Sequence, residues 1–339
     1  MNRNYINILL IVCSVVAAAA VLLVFEAIIR LSGSVKPISN SRGLFVFNAF
    51  GPSKGNAKNI EAMSFGEKVY TDKYGFRIPK DYTEKHLDNT ILLLGDSITF
   101  GVGVKEQDTF AGLLRSKLPN TTVYNSGVVG YNSYDYENVI TQFLPSHPEI
   151  IPKLKRVYLI YCLNDLNSDS AALIDKELNT KARKTTIFDS ARHVGTLAGL
   201  NEFLRENSLL YVYLKGILTD PQMRFYRAEA LYYNPDNDKI FNKNIQPILN
   251  IDAALKSYHI PFTVIIAPYE VQLRKADALL EPQKKLSAFF SSHDIDFIDP
   301  VPEFFAKGLP SKEFYLFADP MHFSEKGHRV IFDVLMRRF

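Results

Sequence analysis

The run Ile91, Leu92, Leu93 and Leu94, which stops abruptly at Gly95, Asp96 and Ser97, constrains the fold more than any other stretch of the chain. Four consecutive apolar residues bounded by turn formers read poorly as a half-exposed strand, which would alternate apolar with polar. They suit a parallel strand covered on both faces. Ligands in open α/β sheets bind outside the carboxyl ends of such strands, so Ser97 stands where chemistry is usually done. A Gly, Asp, Ser turn is also an ordinary way to leave a strand, and the stretch alone leaves a catalytic and a structural Ser97 both open.

The chain beyond it repeats the pattern. Asp108 to Leu118 places Phe110, Leu113, Leu114 and Leu118 on one helix face, with Asp108 as the expected N-cap. A short strand, Thr122 to Tyr124, ends in a polar and glycine-rich rim from Asn125 to Gly130, and a helix through Tyr136, Val139, Ile140 and Phe143 stops at Pro145. Val157 to Tyr161 is a third strand, running into Cys162, Leu163, Asn164 and Asp165. Residues 167–244 then break the rhythm. They hold a basic, polar run near Lys181 to Thr186, one helical pattern through Leu200, Leu204, Leu209, Leu210 and Leu214, and the aromatics Phe225, Tyr226, Tyr232 and Tyr233, which read as internal packing. So long a segment is an insertion with helices of its own, placed to act as a lid or wall. The sheet resumes with a helix through Ile248, Leu249, Ala253 and Leu255, a strand from Phe262 to Ala267 closed by Pro268, a helix at about Pro282 to Phe290 and a strand from Ile295 to Ile298. A last rim loop, Phe317 to Phe323, precedes a closing helix from Glu325 to Phe339. Five strands alternating with helices predict an α/β fold, a flavodoxin-like three-layer α/β/α sandwich on a five-stranded parallel sheet.

Ahead of this domain, Ile8 to Phe25 is eighteen residues without a charge, flanked by Arg3 and by Glu26 and Arg30. That length predicts a transmembrane helix, giving a single-pass membrane protein with an anchor over 1–31. A cleaved signal peptide is the competing reading, with Ala17 to Ala20 as small residues for cleavage, but Val21 to Phe25 continues the apolar run past that point. A lipoprotein signal on Cys13 is disfavoured by Val12 before it. The charges flanking the segment specify orientation poorly, and the working expectation is a short tail inside and the large domain outside the cytoplasm. Residues 32–89 are rich in Ser, Gly, Asn, Pro and Lys and read as a stalk followed by a clasp on the main domain, with Tyr74, Gly75, Phe76 and Arg77 covering a sheet edge. The domain proper is expected over 90–339, with the insertion at 167–244.

Composition narrows the chemistry. The 39 Lys and Arg are interspersed among 36 Asp and Glu for a net charge of +3, which lacks the concentrated basic face of a nucleic-acid partner. With only Cys13 and Cys162, no disulfide framework forms in the domain, and Cys162 reads as a small buried apolar residue. No Cys or His pair has zinc-ligand spacing, so neither metal nor cofactor is expected.

Seven histidines occur, and His322 is set apart by lying in a rim loop three residues after Asp319. Acyl transfer through a serine needs a base with a pKa near 7, a carboxylate that orients it, and donors for the oxyanion. The strand ends offer all of these. Ser97 is the candidate nucleophile, His322 the base and acid, and Asp319 the orienting carboxylate. The backbone N–H groups of Ser97 and Gly130 and the amide of Asn164 would form the oxyanion hole, with Asp96 supporting the turn.

The run Gly95, Asp96, Ser97, Ile98, Thr99, Phe100, Gly101, with Gly130, Asn164 followed by Asp165, and Asp319 to His322, resembles the SGNH or GDSL hydrolase family. The likeness covers residues 90–339 apart from the insertion and is similar to membrane-anchored members in which a Gly, Phe, Arg stretch precedes the domain. It implies the flavodoxin-like sandwich, metal-free ester hydrolysis or acyl transfer, and the site roles given above. Leu163 departs from the pattern, since many members carry glycine there. The α/β-hydrolase elbow G-x-S-x-G is not matched, because Thr99 occupies its second glycine. The leading expectation is a membrane-anchored serine esterase that removes an acyl group, such as acetyl, from a cell-surface glycan or lipid. An O-acyltransferase with the same triad and a catalytically silent binding or assembly protein are the alternatives. A metal-dependent phosphoesterase on Asp96, Asp165, Asp319 and His322 lacks further histidine ligands.

Overall fold

A computed structural model describes residues 3–36, 43–83, 88–166, 195–275 and 279–339. The Lys181 to Thr186 run lies outside these residues. The chain divides into two units, one of Met1–Ile38 with Thr185–Asp220 and one of Ser39–Lys184 with Pro221–Phe339.

In the first unit, α1 (Arg3–Ser32) is a single apolar helix, and its Tyr5–Ser32 stretch is long and apolar enough to cross a membrane. The second unit opens with five short strands, β1 (Phe45–Phe50), β2 (Ser53–Asn56), β3 (Glu61–Ser64), β4 (Glu67–Thr71) and β5 (Arg77–Ile78). They pair as an antiparallel hairpin, β1 with β2, and an antiparallel three-stranded sheet, β3-β4-β5. The sequence had suggested only a stalk and clasp here, because strands of two to six residues carry too little alternation to be seen.

The main sheet begins with β6 (Thr90–Gly95), every residue of which is buried, as a strand covered on both faces requires. There follow α2 (Ser97–Phe100), α3 (Phe110–Lys117), β7 (Thr122–Asn125), α4 (Ser133–Ser146) and β8 (Leu154–Tyr161). Thr109 rather than Asp108 caps α3, its hydroxyl accepting from the Gly112 N–H, while Glu106–Asp108 forms a separate 3₁₀ turn. Asn132 and Asp135 form a capping box at the start of α4.

The first unit supplies the next two helices, α5 (Gly195–Asn207) and α6 (Leu209–Leu218). The single leucine pattern of the sequence is thus two helices, because Ser208 ends one and caps the other by accepting from the Tyr211 N–H. The second unit continues with α7 (Pro221–Ala230), α8 (Asp238–Ser257), β9 (Phe262–Ile266), α9 (Glu281–Ser292), β10 (Asp296–Ile298), α10 (Val301–Ala306) and α11 (Glu325–Met336).

All five strands of the main sheet are parallel, in the order β10-β9-β8-β6-β7. In order of appearance this is the flavodoxin-like 2-1-3-4-5 arrangement, whose direction reverses between β6 and β8. Because parallel crossovers are right-handed, that reversal sends α3 to one face and α4 to the other. Contacts follow suit, with α8 packed on α4 and α11 packed on α3. The expected α/β/α sandwich is therefore the fold. Tyr226, Tyr232 and Tyr233 are buried as internal packing, the Tyr233 hydroxyl donating to the Leu163 carbonyl at 2.9 Å, while Phe225 stays exposed.

Candidate active site

The strand order reverses between β6 and β8, the point at whose carboxyl ends open α/β sheets bind ligands, and the chain places Ser97 directly after β6. The turn that carries it is fixed from several sides. Asp96 caps α2 by accepting the Ile98 N–H at 2.8 Å, and Gly101, in the left-handed region at φ 81°, closes it by donating to the Ser97 carbonyl at 2.9 Å. Gly127 must lack a side chain, since a Cβ there would lie 2.3 Å from the Phe100 nitrogen. Arg77 is fully buried and reaches the far end of the turn: Nη1 donates to the Phe100 and Gly101 carbonyls and Nη2 to the Val104 carbonyl, each at 2.6 Å. Phe100 and Gly101 close the short helix, where carbonyls run out of intrahelical partners, although Gly101 also accepts the Val104 N–H at 3.3 Å. Arg77, from β5, thus grips the turn that carries the candidate nucleophile.

His322 and Asp319 come from the loop before α11. Asp319 Oδ1 accepts the backbone N–H groups of Met321 (3.0 Å) and His322 (2.8 Å), which leaves Oδ2 to accept from His322 Nδ1 at 2.7 Å. The loop is closed behind them by Leu316 N–H donating to the His322 carbonyl at 2.9 Å and by a bridge between Tyr315 and Phe323. With Nδ1 donating to a carboxylate, Nε2 is the acceptor face of the neutral ring. It lies 2.8 Å from Ser97 Oγ, across 225 residues of sequence. Burial opposes charge on both groups, and the pairing outweighs it: the His322 pKa is raised above 6.5, through Asp319 and to a lesser degree Asp96, and Asp319 is held below 3.8 by His322 and its N–H donors. His328 differs, being buried against Phe110 and pulled down to about 3 by burial.

Gly130 and Asn164 follow the two strands that flank β6. The loop after β7 is tied to the nucleophile strand by Val128 N–H donating to the Gly95 carbonyl at 3.3 Å, and Gly130 takes a left-handed φ of 76°. Asn164 lies in a 3₁₀ turn after β8, in which Asp165 Oδ2 accepts the Cys162 N–H at 2.7 Å. Leu163, at the position of a common glycine, is buried in the core and has no left-handed φ that would demand one. The thiol of Cys162 is buried and its pKa is pushed well up, chiefly by that burial, which makes it a packing residue. Among the described residues no three His, Cys, Asp or Glu side chains gather as a metal site.

Three contacts were not legible in the sequence. Phe65, at the tip of the β3–β4 hairpin, sets its ring edge-on to His322 with centroids 5.4 Å apart. It does so from a left-handed φ of 48°, unusual for an aromatic. The Lys54 ammonium, from β2, lies 3.4 Å from where a Cβ on Gly130 would be. Tyr269, just after β9, directs its hydroxyl to Asn164 Oδ1 over 3.5 Å and to Met321 Sδ over 3.9 Å. The available signals were the Phe-Gly pair between two short alternating runs and an aromatic at the rim end of an apolar strand.

Residues 93–330 match the family model described as GDSL-like Lipase/Acylhydrolase family. No curated protein matches the sequence. Among solved structures, a G-D-S-L family lipolytic protein from Veillonella parvula is similar at 14% identity and a TM-score of 0.40, covering 74% of this chain and 97% of that one. A putative lipolytic protein of the same family from Desulfitobacterium hafniense has 12% identity and a TM-score of 0.41, covering 74% and 99%. A lipase/acylhydrolase from Enterococcus faecalis has 15% identity and a TM-score of 0.38, covering 74% and 94%. The family model spans well over half of the chain, from the β6 strand that delivers Ser97 to the helix after His322, and the protein belongs to the GDSL-like lipase/acylhydrolase family.

Proposed function

We propose that this protein is a membrane-anchored serine esterase that removes an acyl group, such as acetyl, from a cell-surface glycan or lipid. One observation carries the reading: the hydrogen bonds from Ser97 Oγ to His322 Nε2 (2.8 Å) and from His322 Nδ1 to Asp319 Oδ2 (2.7 Å) form an unbroken relay at the sheet's switch point. Ser97 Oγ attacks the ester carbonyl as its proton passes to His322 Nε2, and Asp319 steadies the imidazolium so formed. The oxyanion is received by the N–H groups of Ser97 and Gly130 and by the Asn164 amide. His322 then gives its proton to the departing alkoxide, and the alcohol leaves an acyl group on Ser97. Water, deprotonated by His322, attacks that acyl-enzyme and releases the acid, restoring the serine hydroxyl.

The apolar α1 supports placement at a membrane; the extracytoplasmic side for the catalytic unit is part of the proposal. The test is hydrolysis of an aryl acetate by the full chain, with a fluorophosphonate as a label for Ser97. Ser97→Ala is expected to lower kcat on the order of 10⁶-fold and to abolish labelling. Retained turnover in that variant overturns the reading, and absence of labelling in the native protein favours a silent binding protein. Partition of the acyl group between free acid and an added glycan distinguishes hydrolysis from O-acyl transfer.

A further inference from the structure

Helix α6 has the sequence LLYVYLKGIL, apolar but for Lys215, and with ten residues it extends about 15 Å, half the depth of a bilayer's hydrocarbon core. A helix of this composition in a soluble protein buries one face. Here Leu214, Ile217 and Leu218, spaced as one face, are 40%, 55% and 78% exposed. Its companion α5 presents Leu200 and Phe203, three residues apart, at 51% and 59% exposure. Polarity is turned inward between the two helices, where Asn201 Oδ1 accepts from the Tyr211 hydroxyl at 2.9 Å and from Lys215 Nζ at 2.5 Å. Leu209 is buried, so α6 has an inner apolar contact as well as this exposed apolar face.

The same unit ties the start of α6 to the end of the apolar stretch of α1. Glu26 of α1 caps α6, its carboxylate accepting from the Ser208 hydroxyl (2.9 Å) and from the N–H groups of Leu209 (3.0 Å) and Leu210 (2.8 Å). Arg30, one turn further along α1, pairs with Glu26 at 2.7 Å and donates to the Asn207 carbonyl at 2.9 Å. Glu26 is the first charge after the apolar stretch from Tyr5 to Phe25, which at 1.5 Å per residue measures about 30 Å, the thickness of the hydrocarbon core. With α1 as a membrane anchor, this cap sets the start of α6 at headgroup level.

We propose that the α5–α6 hairpin is a second membrane-embedded element, resting its apolar face in the acyl-chain boundary of the leaflet in which α1 ends. This rests on the reading of α1 as a membrane anchor. An amphipathic helix of this kind sinks about 5–10 Å below the headgroups without crossing. Lys215 reaches back to Asn201 and keeps its charge out of the lipid.

The test uses the full chain in phosphatidylcholine–phosphatidylglycerol nanodiscs, with Cys13→Ser to remove the exposed thiol. An environment-sensitive fluorophore is attached in turn at Ile217→Cys, at Val15→Cys within α1, and at Lys284→Cys on a solvent-exposed helix, and melting curves verify that each variant folds. Embedding predicts blue-shifted emission at positions 217 and 15, and loss of most of that emission in brominated lipid, with no change at 284. Quenching at 15 but not at 217 overturns the proposal and leaves the anchor standing. Failure at 15 overturns both. Blue-shifted emission at 217 that brominated lipid leaves intact means that another segment of this chain covers the face, and emission that changes on dilution in lipid means that a second copy does. Either result refutes the membrane assignment.

Discussion

Replacing Arg77 with methionine keeps the bulk of a fully buried side chain and removes its three hydrogen bonds to the carbonyls of Phe100, Gly101 and Val104. The Phe100 and Val104 carbonyls are left unpaired, at about 1–3 kcal/mol each, while the Gly101 carbonyl keeps the Val104 N–H. Against this, burial pulls the guanidinium pKa down to about 10, so deleting the charge removes an unfavourable contribution of about 3 kcal/mol. The balance runs from near zero to a net destabilisation of roughly 3 kcal/mol. For a unit of this size that corresponds to a fall in Tm of up to roughly 10 °C. Because the same carbonyls end the helical turn that begins at Ser97, relaxation of the turn misplaces Oγ relative to His322, and a displacement of about 1 Å lowers kcat by about 100-fold. Arg77→Lys retains charge but not the planar fork, and falls between the native protein and the methionine variant in both measures. Thermal melts followed by circular dichroism and steady-state hydrolysis of an aryl acetate read the two effects. If Arg77→Met melts within a degree of the native protein and keeps its kcat, the guanidinium does not hold the nucleophile turn.

Asp319→Asn removes the carboxylate that holds the His322 pKa above 6.5. The base must be neutral to act, so native kcat/KM falls as pH drops through that raised pKa; without Asp319 the lowering effect of burial prevails, and the acid limb moves to lower pH while kcat drops by about 10⁴-fold. An acid limb that stays in place in the pH profile contradicts the pairing. Phe65→Ala and Phe65→Asn both delete the ring beside His322, and both are expected to lower kcat/KM by about tenfold with the pH profile unmoved. Asparagine tolerates the left-handed φ, so Phe65→Asn melts higher than Phe65→Ala by the equivalent of about 1 kcal/mol; equal melting temperatures refute the turn argument. Gly127→Ala forces a Cβ onto the Phe100 backbone and is expected to destabilise the fold by about 1–3 kcal/mol, measured by denaturant unfolding.

The parts of this molecule that could be read in its sequence are those in which a long apolar run meets a polar rim. β6, β8 and β9 announce themselves because both faces are buried and no alternation dilutes the signal, and Ser97 and Asn164 follow at their ends. His322 was found because Asp319 stands three residues before it in a loop. Helix limits were less legible: Thr109 and Asp108 are both good caps, and only the geometry of the preceding 3₁₀ turn selects threonine. The break at Ser208 is hidden by leucines whose spacing runs through it, since exposed Leu214, Ile217 and Leu218 leave α6 without the polar face that would mark a new helix. Phe65 and Lys54 were out of reach for a different reason. Their partners lie on other elements, and strands as short as β2 to β5 leave pairing and register to tertiary contacts.

Between Tyr161, the last residue of β8, and Phe262, the first of β9, a hundred residues intervene, yet the two strands pair without a slip from Val157 with Phe262 to Tyr161 with Ile266. A detour of this length is inexpensive, because the entropy of closing a loop grows only logarithmically and each doubling adds about 0.6 kcal/mol. The crossover from β8 to β9 is in evolutionary terms an open port. New elements can be spliced into it while the sheet, and with it the spacing of the strand ends that carry Ser97 and Asn164, stays as it was. A hairpin suited to lipid and a catalytic rim suited to esters can therefore change independently within one chain.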